Sequence, residues 1–122
     1  MDDLRVLLVD DEEELVVTLV ERLGYRGITA DYALDGPAAL AKMRDGNFRV
    51  VVLDLKLPGM EGTEVVRRIA DQYPGVPVIM ITGHGSPLDA PHAKPAGAWD
   101  YLIKPVQIDL LIEKIKEAAG QK

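Results

Sequence analysis

Residues 50–62 read VVVLDLKLPGMEG, and the fold follows from this stretch. An apolar run rich in β-branched residues, with no polar interruption, is typical of a strand buried on both faces of a parallel sheet. The run ends at Asp54, and Leu57-Pro58-Gly59 then forms a turn before a helical pattern over Gly62–Gln72. Strand, carboxylate, turn and helix in this order predict one unit of an α/β domain.

The same alternation of short apolar runs and amphipathic stretches extends along the whole chain. The other predicted strands are Val6–Val9 and Val78–Ile81, with weaker runs near the sheet edges at Ile28–Ala33 and Tyr101–Ile103. The other helical patterns are Leu15–Leu23 with Gly24 as a stop, Asp35–Arg44 with Gly46 past its end, and Ile108–Ile115. This order predicts an α/β fold with a five-stranded parallel sheet, right-handed crossovers and helices on both faces.

The crossover between the fourth and fifth strands breaks the pattern. Residues 84–97 contain Pro87, Pro91 and Pro95, and a proline inside a helix costs about 3 kcal/mol. We expect a fourth helix that is short or disrupted by these prolines, in a segment that is mobile or rebuilt.

Composition narrows the class of protein. A length of 122 residues predicts one domain spanning residues 1–122. Fourteen Lys and Arg against 20 Asp and Glu give a net charge of −6, so we expect no direct binding to nucleic acid. The absence of cysteine excludes disulfides and thiolate chemistry. With no apolar run near the ~20 residues of a membrane span and an acidic start, the sequence predicts a cytoplasmic domain that does not contact membranes.

Polar side chains follow the strands at the ends where parallel sheets bind ligands. They are Asp10 and Asp11, then Asp54, Thr82 and Lys104. Clustered carboxylates form a hard-oxygen site suited to Mg²⁺, which would let a carboxylate attack phosphorus. Lys104 and Thr82 would then supply a positive charge and a hydrogen-bond donor to the transferred group.

Each of these residues also has a simpler interpretation. Asp11 is a candidate N-cap of the first helix, and Asp54 a candidate turn residue. Lys104 is compatible with a solvated surface lysine, and Thr82 with an ordinary strand end. The occurrence of all of them at the same ends of successive strands favours a functional site.

Four segments together resemble the receiver domain of bacterial two-component response regulators. They are residues 6–12 (VLLVDDE), 51–62 (VVLDLKLPGMEG), 79–85 (IMITGHG) and 101–105 (YLIKP). The resemblance extends from Leu4 to Ala119 and implies the flavodoxin-like strand order 2-1-3-4-5.

The resemblance implies that Asp54 accepts a phosphoryl group from the phosphohistidine of a sensor histidine kinase or a phosphotransfer protein. Mg²⁺ would be held by Asp10, Asp11, Asp54 and the backbone carbonyl of Lys56. Lys104, joined to the next residue by a cis peptide bond, would pair with the acyl phosphate.

The family also assigns regulatory positions. Thr82 would be the switch residue and Tyr101 its rotating aromatic, although a half-buried strand aromatic fits Tyr101 equally well. Lys56 and His84 would tune the lifetime of the phosphoryl group, or would be exposed loop residues without a role. Output would pass through a face of the fourth helix, fifth strand and fifth helix to an output domain, a partner protein or a second copy. Such a protein is a signalling domain rather than an enzyme.

Three alternatives differ in class. An aspartyl-phosphate phosphatase or mutase would need a second Asp where Lys56 stands. A nucleotide-binding module would need a third glycine beyond Gly83-His84-Gly85. A receiver-like scaffold that binds partners without phosphorylation would need none of the site residues, so their presence argues against it.

Overall fold

The computed structural model describes residues 4–58, 60–83 and 98–120. Its five strands are β1 Arg5–Val9, β2 Thr29–Ala33, β3 Val50–Asp54, β4 Val78–Thr82 and β5 Asp100–Ile103. Its described helices are α1 Glu13–Tyr25, α2 Gly36–Asp45, α3 Gly62–Gln72 and a C-terminal helix, Ile108–Ala119. The strands are parallel and lie in the order β2-β1-β3-β4-β5, which confirms the predicted fold.

The sheet is covered on both faces by helices. Along β1, Leu7 and Val9 lie in the core cluster that includes α2 and α3, whereas Val6 and Leu8 lie in the cluster that includes α1 and the C-terminal helix. Successive side chains of a strand point to opposite faces, so a strand covered on both sides needs apolar residues at successive positions up to its carboxyl end. Every residue of β3 and β4 is buried, which explains the uninterrupted apolar runs.

The helical pattern predicted over Asp35–Arg44 matches α2 to within one residue at each end, whereas the predicted end of α1 does not match the structure. Asp35 is the N-cap of α2, and its carboxylate accepts a hydrogen bond from the Ala38 N–H at 2.8 Å. The prediction that α1 stops at Gly24 was wrong, because the helix continues through Tyr25. The left-handed turn is made three residues later by Gly27, whose φ is 82°.

The predictions for the fourth crossover lie outside the described residues. They are the short or disrupted fourth helix, the mobile or rebuilt segment and the tuning role of His84. The described chain resumes at Ala98, and the N–H of Trp99 donates to the Val78 carbonyl at 2.7 Å as β5 begins beside β4.

Candidate functional site

The parallel register of β1 and β3 brings two buried carboxylates side by side. Val9 is the register partner of Leu53, so the next residues on the two strands, Asp10 and Asp54, lie beside each other at the carboxyl edge of the sheet. Asp10 is 6% exposed and Asp54 4% exposed. Two buried carboxylates this close together need a cation, because burial removes the water that would screen the repulsion between their charges.

Asp11 completes an acidic group with this pair. One carboxylate oxygen from each of Asp10, Asp11 and Asp54 lies within 4.8 Å of the others. Asp11 is exposed, and the N-cap of α1 is the next residue, Glu12, so the N-cap interpretation of Asp11 was wrong. Three convergent carboxylates match the donor set that Mg²⁺ takes in proteins, with water filling its remaining positions.

Lys104 supplies the positive charge at this edge. Its Nζ lies 3.0 Å from Asp54 Oδ2, 3.5 Å from Glu12 Oε1 and 3.6 Å from Asp10 Oδ2. The Lys104–Pro105 peptide bond is cis, as the resemblance implied. The lysine follows β5, at the far edge of the sheet from β2, and its long side chain reaches back across β4 to the acidic group.

Main-chain donors hold the other oxygen of each buried carboxylate. The N–H of Glu12 donates to Asp10 Oδ1 at 2.9 Å, and the N–H of Lys56 donates to Asp54 Oδ1 at 3.1 Å. Each of these bonds spans two residues, as in the turns that acidic side chains form with the chain that follows them. Both carboxylates are therefore fixed in orientation, with their Oδ2 atoms facing Lys104.

The electrostatics of the site combine burial with close charges. Burial raises the pKa of Asp10 above its usual value, and the nearby charges of Asp54 and Glu12 raise it further. The Glu12 N–H and the Lys104 amine lower this pKa without cancelling the rise. For Lys104, burial lowers the pKa, but the hydrogen bond to Asp54 and the surrounding carboxylates outweigh it, so its pKa is raised.

The remaining predicted residues lie around this group. Thr82, the last residue of β4, is buried, and Lys56, two residues past the end of β3, is exposed. Tyr101 is partly buried against the core cluster on the α2 and α3 side of the sheet.

Two residues of the site were not singled out from the sequence. Glu12 was assigned no role in the site from the sequence, yet its carboxylate reaches Lys104. Gly62 marks a close approach between α3 and the loop after β3, because an added Cβ would lie 2.6 Å from the Leu55 Cα and carbonyl oxygen. Gly62 belongs to the motif over residues 51–62, but the sequence alone does not show the contact with Leu55 that requires a glycine.

The family is shown by comparison with known proteins. A model of the response regulator receiver domain matches residues 6–116. The chain therefore belongs to the response regulator receiver domain family, and it is a receiver domain of two-component systems. Receiver domains are signalling domains.

Similar proteins include transcriptional regulators from mycobacteria. The chain is 38% identical over 112 residues to the transcriptional regulatory protein TcrA of Mycobacterium tuberculosis, covering 92% of this chain and 44% of TcrA. It is 41% identical over 111 residues to the sensory transduction protein RegX3 of Mycobacterium bovis, covering 91% of this chain and 48% of RegX3. The chain thus spans about half the length of these relatives.

Solved structures agree with the fold. A CheY-like receiver domain protein from Methanospirillum hungatei superposes with a TM-score of 0.91 at 35% identity, covering 97% of this chain and 94% of that one. FixJ-N superposes with a TM-score of 0.89 at 36% identity, covering 100% of this chain and 98% of the other. Among the described residues, no helix has the length and apolar character needed to cross a membrane.

Proposed function

We propose that Asp54 of this receiver domain accepts a phosphoryl group from the phosphohistidine of a sensor histidine kinase or a phosphotransfer protein. One observation carries the proposal. A carboxylate oxygen of Asp54 lies within 4.8 Å of those of Asp10 and Asp11. Its Oδ2 lies 3.0 Å from the Lys104 amine, and its Oδ1 accepts a hydrogen bond from the Lys56 main-chain N–H. This arrangement fixes a carboxylate as a nucleophile and places a cation where the phosphoryl charge arrives.

The donor set supports Mg²⁺ as the cofactor. Asp10, Asp11 and Asp54 would hold the ion through carboxylate oxygens, and the backbone carbonyl of Lys56 is the proposed fourth protein ligand. Bound Mg²⁺ would neutralise the carboxylates and the incoming phosphoryl oxygens. This role explains why three acidic side chains converge at a place where burial already raises the pKa of Asp10.

The proposed reaction is a displacement at phosphorus. An oxygen of the Asp54 carboxylate forms a bond to phosphorus while the phosphorus–nitrogen bond of the phosphohistidine breaks, and the electron pair stays on the imidazole nitrogen. The product is an acyl phosphate on Asp54. Lys104 pairs with its oxygens, and the Thr82 hydroxyl donates to them, which draws the ends of β4 and β5 toward the new charge.

This response links the site to an output surface. Ile103 on β5 is 49% exposed and Leu110 on the C-terminal helix is 42% exposed, so both offer apolar contacts to a partner. We assign output to the face made by the fourth crossover, β5 and the C-terminal helix. An output domain, a separate protein or a second copy would bind there, with Tyr101 as a second switch residue and Lys56 and His84 as residues that tune the lifetime.

An apolar hollow beside the site suits the phosphodonor. A cavity of about 450 Å³ lies between α1 and the loop after β5, with Asp10 and Lys104 at its side. Its apolar lining includes Leu15, Leu19, Ile81, Pro105 and Val106. Leu15 is 40% exposed on the first turns of α1, where it would meet a protein that brings its phosphohistidine to Asp54.

The length and the match over residues 6–116 support one receiver domain over residues 1–122. The proposed sensor-kinase partner implies a cytoplasmic location. We propose that phosphorylation of Asp54 serves to transmit a signal and not to turn over a substrate.

Intact-mass spectrometry with a small phosphodonor tests the proposal. We expect acetyl phosphate with Mg²⁺ to add one phosphoryl group to the wild-type protein, and EDTA to abolish the addition. Asp54→Asn should remain unmodified, while Asp71→Asn, an exposed acidic residue on α3, should behave like wild type.

A wild-type protein that binds Mg²⁺ but neither forms the adduct nor binds beryllofluoride, a phosphoryl mimic that is not hydrolysed, would contradict the proposal. Such a result would favour the alternative of a receiver-like scaffold that signals by binding alone.

A further inference from the structure

Glu12 contacts the site with both its main chain and its side chain. Its N–H donates to Asp10 Oδ1 at 2.9 Å, and its Oε1 lies 3.5 Å from Lys104 Nζ. Glu12, at the start of α1, therefore contacts both Asp10 and Lys104, through its main chain and its side chain respectively.

The side chain of Glu12 does not make the hydrogen bond that an N-cap side chain normally makes. Glu12 is the N-cap of α1, a position where a side-chain oxygen commonly accepts a hydrogen bond from the first turn of the helix. Within the described chain it makes no such bond. Its carboxylate extends toward Lys104 instead, although 62% of the side chain is exposed.

Lys104 is consequently shared in the resting protein. The amine that must pair with the phosphoryl group already has Asp54 at 3.0 Å and Glu12 at 3.5 Å. Any contact that is stronger in the ground state than in the transition state raises the barrier of a reaction. A lysine held toward Glu12 has to give up part of this contact when the phosphoryl oxygens arrive.

We propose that Glu12 is a positioning residue that holds Lys104 on the α1 side of the site and thereby slows capture of the phosphoryl group by Asp54. The inference rests on the proposed function of Asp54. The proposed effect comes from the short-range ion pair between Glu12 and Lys104, and not from the total negative charge of the acidic cluster.

Three variants distinguish the effect of the Glu12–Lys104 ion pair from the effect of negative charge near the site. Glu12→Gln removes the charge at the contact, and Glu12→Asp keeps the charge but shortens the side chain by one methylene group. Glu13→Gln removes the same charge from the adjoining residue, which is exposed and makes no ion pair within the described residues.

The first measurement is the rate of phosphorylation by phosphoramidate at saturating Mg²⁺, followed by intact mass. We expect Glu12→Gln and Glu12→Asp to react about two- to fivefold faster than wild type, the range that an exposed ion pair allows. Glu13→Gln should react at the wild-type rate, and thermal unfolding should show that all three variants fold. Equal rates for Glu12→Gln and Glu13→Gln, or slower reaction of both Glu12 variants, would overturn the proposal.

The second measurement does not depend on phosphorylation. The Lys104 side-chain amine is observed by nitrogen-15 NMR in the resting protein, where Glu12→Gln should shift its resonance and Glu13→Gln should not. An unchanged resonance in Glu12→Gln would overturn the inference even if Asp54 is phosphorylated normally. If Glu12→Gln shifts the resonance but the wild-type protein cannot be phosphorylated, the ion pair exists and the proposed function of Asp54 is rejected instead.

Discussion

The main chain of Lys104 is hydrogen-bonded to that of Thr82: the Lys104 N–H donates to the Thr82 carbonyl oxygen at 2.8 Å. This bond continues the pairing of β4 and β5 past the register pair Thr82 and Ile103. The two residues that are proposed to contact the phosphoryl group are therefore joined through the backbone. We expect a shift of one strand end to move the other, and with it the exposed side of β5.

This connection predicts separate effects on chemistry and on switching. We expect Thr82→Ala to accept the phosphoryl group at close to the wild-type rate, because the attacking atom belongs to Asp54. The change in NMR chemical shifts of Tyr101 and Ile103 upon addition of beryllofluoride should be largely lost, because no hydroxyl draws β4 toward the new charge. Thr82→Ser, which keeps the hydroxyl, should respond like wild type. A full response in Thr82→Ala would show that the hydroxyl does not drive the switch.

Removing the lysine should expose the repulsion between the buried carboxylates. We expect Lys104→Met to lower the free energy of unfolding without Mg²⁺ by about 1–3 kcal/mol, because Asp10 and Asp54 lose their cation. The same variant should bind Mg²⁺ more tightly than wild type, because the amine no longer competes for the carboxylates. Urea unfolding and a Mg²⁺ titration measure the two effects. Lys116→Met, on the exposed side of the C-terminal helix, serves as the control, and equal stability of both variants would contradict the prediction.

Two glycines provide a matched pair for stability. Gly62→Ala should lower the free energy of unfolding by about 1–3 kcal/mol, because the new Cβ would meet the Leu55 backbone at 2.6 Å. Gly24→Ala should raise it by about 0.5–1 kcal/mol, because Gly24 lies within α1 and an added Cβ meets nothing described within 4 Å. Denaturant unfolding of both variants checks the opposite signs. A Gly62→Ala variant as stable as wild type would mean that the loop after β3 can move to make room for the new Cβ.

An ion pair on the other side of the sheet predicts a dependence on pH. Lys42 Nζ lies 2.8 Å from Asp31 Oδ2. Burial raises the pKa of Asp31, but the hydrogen bonds from Lys42 and the Tyr32 N–H, with the charges of Lys42 and Arg5, outweigh it, so the pKa is lowered. A carboxyl group with a lowered pKa stabilises the folded state above its unfolded pKa of 3.8, and this contribution is lost as the pH falls through the folded pKa.

We therefore expect wild type to exceed Asp31→Asn in unfolding free energy by a constant amount above about pH 5, and the difference to vanish in strong acid. The side chains of Asp31 and Lys42 are 44% and 41% exposed, so screening by water keeps the difference below about 1 kcal/mol. Urea unfolding between pH 2 and pH 7 measures it, with Asp71→Asn as the control on α3. A difference in unfolding free energy between wild type and Asp31→Asn that grows as the pH falls would contradict the prediction.

The proposed docking of the phosphodonor predicts a difference between protein and small-molecule donors. We expect Leu15→Gln to slow transfer from a phosphorylated histidine kinase at least about tenfold if its side chain is a central contact, because apolar contact area is replaced by an amide. Phosphorylation by acetyl phosphate should remain unchanged, because Leu15 touches no reacting atom. Leu110→Gln, at a similarly exposed leucine on the C-terminal helix, is the matched control. Equal transfer to both variants would place the donor elsewhere.

The amino-acid sequence determined the strands and the edge of the sheet at which the candidate site residues lie, and its resemblance to receiver domains implied the strand order. Every residue of β3 and β4 is buried, and such strands need apolar side chains on both faces, which is a signal readable without any partner strand. Because parallel strands end at one edge, Asp10, Asp54, Thr82 and Lys104 could be assigned to one site from their places along the chain alone. Local signals also sufficed for the bounds of α2, where the predicted pattern over Asp35–Arg44 matches the helix to within one residue at each end.

Only the tertiary structure decided how these residues meet. Lys104 and Asp54 are 50 residues apart, and their contact depends on the register of three strands and on the path of a long side chain. The same holds for the contact of Glu12 with Lys104, for the approach of Gly62 to Leu55 and for the continuation of α1 past Gly24. Residue type and spacing specify what each segment can form. The partner that a side chain finds is set by packing between segments that are distant in the sequence, because the free energies of such contacts are realised only after the elements have docked.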